Sequence, residues 1–83
     1  MGYRVFFKES TGKDLKGISP PDRKRILDAI ENELTKEKKG KMLKGEFSGL
    51  YSYRIGTYRV IYAENEEGLL ILKIGHRKDV YGH

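Results

Sequence analysis

The stretch Leu50-Tyr51-Ser52-Tyr53-Arg54-Ile55-Gly56-Thr57-Tyr58-Arg59-Val60-Ile61-Tyr62-Ala63 decides the fold. Two runs rich in aromatic and β-branched residues, Leu50–Ile55 and Tyr58–Ala63, alternate with a period of two and read as strands. Between them lies Gly56-Thr57, a two-residue loop with Gly first, which suits a type II′ hairpin turn. That turn length sets the register, so Ile55 faces Tyr58, Arg54 faces Arg59 and Tyr53 faces Val60. One face of the hairpin then carries Tyr51, Tyr53, Ile55, Tyr58, Val60 and Tyr62. The other carries Leu50, Ser52, Arg54, Arg59, Ile61 and Ala63. The first face is a core that a helix can cover. Its tyrosines could also serve as base-stacking platforms, but sharing a face with Val60 favours the core.

Toward the C-terminus, Glu64-Asn65-Glu66-Glu67-Gly68 is a second turn. Leu69-Leu70-Ile71-Leu72-Lys73-Ile74 is a third strand, apolar enough to be central or covered. If Leu70, Leu72 and Ile74 share the face of Tyr58, Val60 and Tyr62, the opposite face gains Ile71, Lys73 and Arg77. Toward the N-terminus, Met1 to Lys8 reads as a strand, with Tyr3, Val5 and Phe7 on one side. Residues 9–18 are ambiguous: Gly12 and Gly17 weaken a helix, while Leu15 and Ile18 could face a core. Ser19-Pro20-Pro21-Asp22 starts a helix, with Ser at the N-cap, Pro at the first helical position and a carboxylate three residues on. Ile26, Leu27, Ile30 and Leu34 recur at helical spacing and carry it to about Lys38. The expected fold is α+β: an N-terminal strand, one or two helices, then a three-stranded antiparallel meander. All strands join one sheet, with the helices on one face.

The chain has 83 residues, enough for one domain spanning 1–83 and one small core. No run approaches the ~20 apolar residues of a membrane span, and the first residues lack a signal-peptide core, so the expected location is the cytoplasm. The absence of Cys excludes disulfides, thiolate zinc sites and cysteine nucleophiles, and with only two His a metal site is not expected. The net charge of +5 points to an anionic partner. It is local: residues 36–59 hold seven cations (Lys36, Lys38, Lys39, Lys41, Lys44, Arg54 and Arg59) against Glu37 and Glu46, which equals the excess of the whole chain. Arg54 opposite Arg59 is a like-charge pair that costs up to ~1 kcal/mol. With Lys73 and Arg77 it forms a cationic cluster. A bound polyanion would resolve the conflict, since Arg suits bidentate phosphate contacts; splaying into solvent is the alternative.

Three motifs in order, Leu43-Lys44-Gly45, then Leu50-Tyr51-Ser52-Tyr53-Arg54-Ile55-Gly56-Thr57-Tyr58-Arg59-Val60-Ile61-Tyr62, then Ile74-Gly75-His76-Arg77-Lys78-Asp79-Val80-Tyr81, resemble the RelE/ParE toxin superfamily over nearly the whole chain. The chain is more similar to the RelE branch, whose members cut messenger RNA in the ribosomal A site, than to the gyrase-poisoning ParE branch. The resemblance implies a cofactor-free, metal-independent endoribonuclease, an mRNA interferase that uses the RNA's own 2′-OH as nucleophile. It places basic catalytic positions on Arg54, Arg59 and Arg77, and a C-terminal stacking or acid/base tyrosine on Tyr81. RNA-binding positions would be Lys41, Lys44, Ser52, Lys73 and Lys78. Ser52 is a departure, because the family often has a lysine there.

Such chemistry must deprotonate the 2′-OH, stabilise a dianionic phosphorane and protonate the 5′-oxygen. Arg59 and Arg77 suit the second task. His76 and Tyr81 are the proton-transfer candidates. Strand alternation sends His76 to the core side, where it would be a packing residue instead. The resemblance further implies an acidic, partly disordered RelB-like antitoxin covering the basic face, with a heterotetramer as one assembly open to the pair. mRNA and the ribosome would be the other partners, and no membrane. Two other functions stay open: a ParE-like gyrase inhibitor, and a catalytically weak RNA-binding module if Ser52 removes the base.

Overall fold

The computed structural model describes residues 4–34, 41–42 and 49–76, with backbone alone at 41–42. In chain order the elements are β1 (Arg4–Phe7), α1 (Glu9–Lys16), α2 (Pro20–Ala29) continued by a π-helical turn (Ile30–Leu34), β2 (Lys41–Met42), β3 (Tyr51–Ile55), β4 (Tyr58–Asn65) and β5 (Gly68–His76). They build one mixed sheet in the order β1-β5-β4-β3-β2. β1 runs parallel to β5, and the other neighbours are antiparallel. The meander β3-β4-β5 is the expected one. The two-residue β2, pairing Lys41 with Ser52 and Met42 with Tyr51, is an addition that its sequence did not signal.

The ambiguous segment after β1 is a helix. Its Gly12 is exposed and Thr11 is buried, with the Thr11 hydroxyl donating to the Lys8 carbonyl at 2.6 Å. α2 begins at Pro20 as expected, but the capping pair does not form. The Ser19 side chain makes no cap hydrogen bond, and its carbonyl accepts from Arg23 N–H at 2.8 Å. The Arg23 guanidinium donates to the carbonyls of Leu15 (3.0 Å) and Ile18 (3.1 Å), tying the end of α1 to the start of α2. Beyond Ala29 the helix widens into the π turn, and the expected continuation to Lys38 lies outside the described residues.

Ile18, Ile26, Ala29, Ile30 and Leu34 from the helical layer pack on Ile55, Tyr58, Val60, Tyr62, Leu69, Ile71 and Ile74 of the sheet. The hairpin register is the expected one, including Arg54 opposite Arg59. The register of β5 is not. Ile61 pairs with Lys73 but Tyr62 pairs with Ile71, so Leu72 is an extra residue in a bulge. A bulge reverses the facing of everything beyond it. Leu69 and Ile71 therefore join Ile74 under the helices, while Leu70 and Leu72 are only half-buried. The expected core trio Leu70, Leu72 and Ile74 is corrected to Leu69, Ile71 and Ile74. Lys73 stays on the face expected of it.

Candidate functional site

On the sheet face away from the helices, alternation brings together Ser52 and Arg54 of β3, Arg59 and Ile61 of β4, and Lys73 of β5. Arg59 is half-buried, and its Nη1 donates to Ser52 Oγ at 3.3 Å. Ser52 is itself only 4 % exposed. A serine hydroxyl accepts from a guanidinium, where a lysine would repel it. The departure at position 52 thus holds Arg59 in place at the cost of one cation. Opposite Arg59 in β5 stands Gly75, which adds no side chain to this face.

The like-charge pair relaxes through Arg54. Its exposed Nε donates to the Gly56 carbonyl at 3.2 Å, which draws the guanidinium toward the turn. There it lines a cavity of about 400 Å³ beside Arg25, Asp28, Glu33 and Tyr53. The Tyr53 hydroxyl donates to Glu33 Oε1 at 3.1 Å across this cavity. Arg54 and Arg59 are therefore cross-strand partners with divergent side chains, and Arg59 with Lys73 forms the centre of the cationic face.

His76 is elsewhere. It pairs with Tyr58 at the last rung of the β4–β5 ladder, with ring centroids 4.6 Å apart and planes tilted by 38°. Tyr58 belongs to the core, so His76 lies on the helix side of the sheet, as alternation anticipates. The Tyr58 hydroxyl donates to Asp22 Oδ2 at 2.9 Å. That hydrogen bond, with burial and the charge of Asp22, raises the phenol pKa above 10.0, and Arg25 opposes the shift. On the outer edge of β5, Ile74 N–H donates to Asp14 Oδ2 at 3.1 Å. Neither role is signalled locally: Asp14 lies in a segment with no clear helix signal, and Asp22 stands at a capping position. Arg77, Tyr81, Lys44 and Lys78 lie outside the described residues, as does the side chain of Lys41.

The comparisons with known proteins agree with this architecture. The family model described as ParE toxin of type II toxin–antitoxin system, parDE, matches residues 3–81. Toxin RelG of Mycobacterium tuberculosis is 33 % identical over 85 residues, covering 98 % of both chains. The toxin–antitoxin complex RelBE2 of the same organism contains a chain of 30 % identity and TM-score 0.86, covering 93 % of this chain and all of that one. In the archaeal RelE–RelB complex of Pyrococcus horikoshii a chain matches at 34 % identity and TM-score 0.70, over 95 % of this chain and 99 % of that one. By family model, relatives and fold, this chain belongs to the RelE/ParE superfamily and is a toxin of a type II toxin–antitoxin system.

Proposed function

We propose that the chain is a ribosome-dependent mRNA endoribonuclease that works without a metal ion, by attack of the RNA 2′-OH on the adjacent phosphate. The observation that carries this reading is Arg59: half-buried, bonded to Ser52, and facing Gly75 on a sheet surface shared with Lys73. A guanidinium restrained by a buried hydroxyl is pre-organised for charge that develops on a phosphorane, and such donors give the largest single catalytic effect. Lys73 holds a flanking phosphate, and Arg54, whose guanidinium lies toward the turn, contacts RNA further along, with Lys41, Lys44 and Lys78 as further RNA-binding residues on the strength of the family resemblance. The family resemblance supports a catalytic role for Arg77 as well. Of the two proton-transfer candidates, Tyr81 takes the role, because His76 lies on the opposite face of the sheet from Arg59.

The relatives solved as complexes with RelB proteins support a cognate antitoxin for this chain as well. An acidic segment laid over Arg59 and Lys73 would neutralise the cationic face and exclude RNA, which makes inhibition a competition for one face. Purified protein incubated with programmed ribosomes should yield mRNA cut in the A-site codon, unaffected by EDTA and abolished by Arg77→Ala. The ParE name of the matching family favours the second reading, a gyrase inhibitor. It would give stalled gyrase–DNA complexes and no RNA ends.

A further inference from the structure

We propose that His76 is a positioning residue, the end of a tether that runs from α2 through Asp22 and Tyr58 and fixes the last described residue of β5, the chain neighbour of Arg77. The proposal rests on the ribonuclease reading of Arg77.

The terminal part of β5 lacks the support that its first half enjoys. β1 pairs with Gly68 to Ile71 only, so from Leu72 to His76 the outer edge of β5 has no strand beside it among the described residues. Each helix compensates with one carboxylate. Asp14 of α1 accepts the Ile74 N–H at 3.1 Å, which satisfies a backbone donor that a neighbouring strand would otherwise take. Asp22 of α2 acts at one remove. It accepts from the Tyr58 hydroxyl at 2.9 Å, and the Tyr58 ring packs on His76 at 4.6 Å.

Asp22 is placed where it could have capped its own helix, and Ser19 is left without a side-chain cap bond. It still sits in the first turn, where the helix dipole favours a carboxylate, yet its side chain is committed to Tyr58. Tyr58 follows the hairpin turn and is 9 % exposed, so its ring is a fixed surface. His76 is exposed, and its described ring contact is with that surface.

The same geometry argues against proton transfer by His76. Its ring shares the helix side with Tyr58, while Arg59 and Lys73 occupy the other side, with the sheet backbone between them. What His76 can control is its neighbour in the chain. Consecutive Cα atoms are about 3.8 Å apart, so fixing His76 confines the root of the Arg77 side chain. A misplacement of ~1 Å in a group that must meet a transition state costs about a hundredfold in rate.

The test compares His76→Ala, His76→Phe and Tyr58→Phe on programmed ribosomes, with Arg77→Ala as the reference for lost catalysis and melting curves as the check on folding. A positioning role predicts a kcat loss of about tenfold or more in His76→Ala with KM little changed, and recovery to within about threefold in His76→Phe, whose ring still stacks. The pH profile of His76→Phe should match that of the parent. Tyr58→Phe, which keeps the ring and loses the bond to Asp22, should lower kcat and speed amide hydrogen exchange at Ile74 to His76. A His76→Phe variant as impaired as His76→Ala, with one limb of the pH profile gone, overturns the proposal in favour of proton transfer. Full activity in His76→Ala overturns it as well. If the parent protein cuts no mRNA, the ribonuclease reading has failed on its own. The exchange measurement then decides the tether: unchanged protection in Tyr58→Phe sinks it.

Discussion

Replacing Ile71 with Ala tests the bulge in β5 that determines which residues of the last strand are core. Ile71 is fully buried beneath the helices, whereas Leu72, the bulged residue, is half-buried. Truncating Ile71 removes three carbons, which at ~0.8 kcal/mol each in lost transfer energy gives a floor near ~2.4 kcal/mol. The central place of Ile71 in the sheet hinders collapse of the resulting cavity, so the whole cost should reach about 3–4 kcal/mol. Leu72→Ala removes the same number of carbons from a partly solvated site and should cost about 1 kcal/mol. A domain of this size has only about 4–12 kcal/mol of stability, so the first change is severe and the second mild. Urea denaturation followed by circular dichroism reads both: with m near ~1 kcal/mol/M, the midpoints should separate by about 2–3 M. Should Ile71→Ala fail to fold, Ile71→Val replaces it: losing one buried carbon there should cost about 1 kcal/mol, as much as losing three at Leu72, and an Ile71→Val cost well below that of Leu72→Ala would refute the bulge. A Leu72→Ala variant as damaged as Ile71→Ala would refute the bulge and restore an unbroken register.

Three further outcomes follow from individual contacts. Because the Tyr58 phenol is raised by its bond to Asp22, its contribution to stability should be complete below pH ~10 and vanish as pH climbs through the folded-state value; melting temperature against pH should fall less steeply there in Tyr58→Phe. Gly56 has φ +61°, and a Cβ there would meet the Arg25 guanidinium, so Gly56→Ala should cost about 1–2 kcal/mol by denaturant titration. Ser52→Ala should lower kcat about tenfold on programmed ribosomes while shifting the melting temperature by only a few degrees, since it removes one hydrogen bond to Arg59 without opening the helix-side core.

Legibility in the sequence tracked how local the determining physics is. Gly56-Thr57 and the alternation around it placed Arg54 opposite Arg59 correctly, because a two-residue turn leaves no freedom of register. Ser19-Pro20-Pro21 placed the start of α2 for the same reason. The bulge escaped because five of the six residues from Leu69 to Ile74 are apolar, so both facings of the strand satisfy the pattern equally. The commitment of Asp22 to Tyr58 is invisible to local rules, because the two lie 36 residues apart. β2 is two residues long and is held by pairing with β3 rather than by its own propensity. Of the three arginines proposed for the site, Arg54 and Arg59 follow from the hairpin register, while Arg77 lies outside the described residues. The use of Ser52 as a brace for Arg59 needed the fold.

On the proposed function, Arg59, braced by Ser52 on the open face of the sheet, stabilises charge at the cleaved phosphate. The most direct measurement is single-turnover cleavage of mRNA on programmed ribosomes by Arg59→Ala and Arg59→Lys, at saturating toxin and with ribosome binding measured alongside. Arg59→Ala should lose about a hundredfold or more in cleavage rate, with binding weakened far less. Arg59→Lys should recover incompletely, because an ammonium cannot reproduce the planar guanidinium fork. Cleavage at the parental rate in Arg59→Ala, or a loss accounted for wholly by weaker binding, would contradict that role for Arg59.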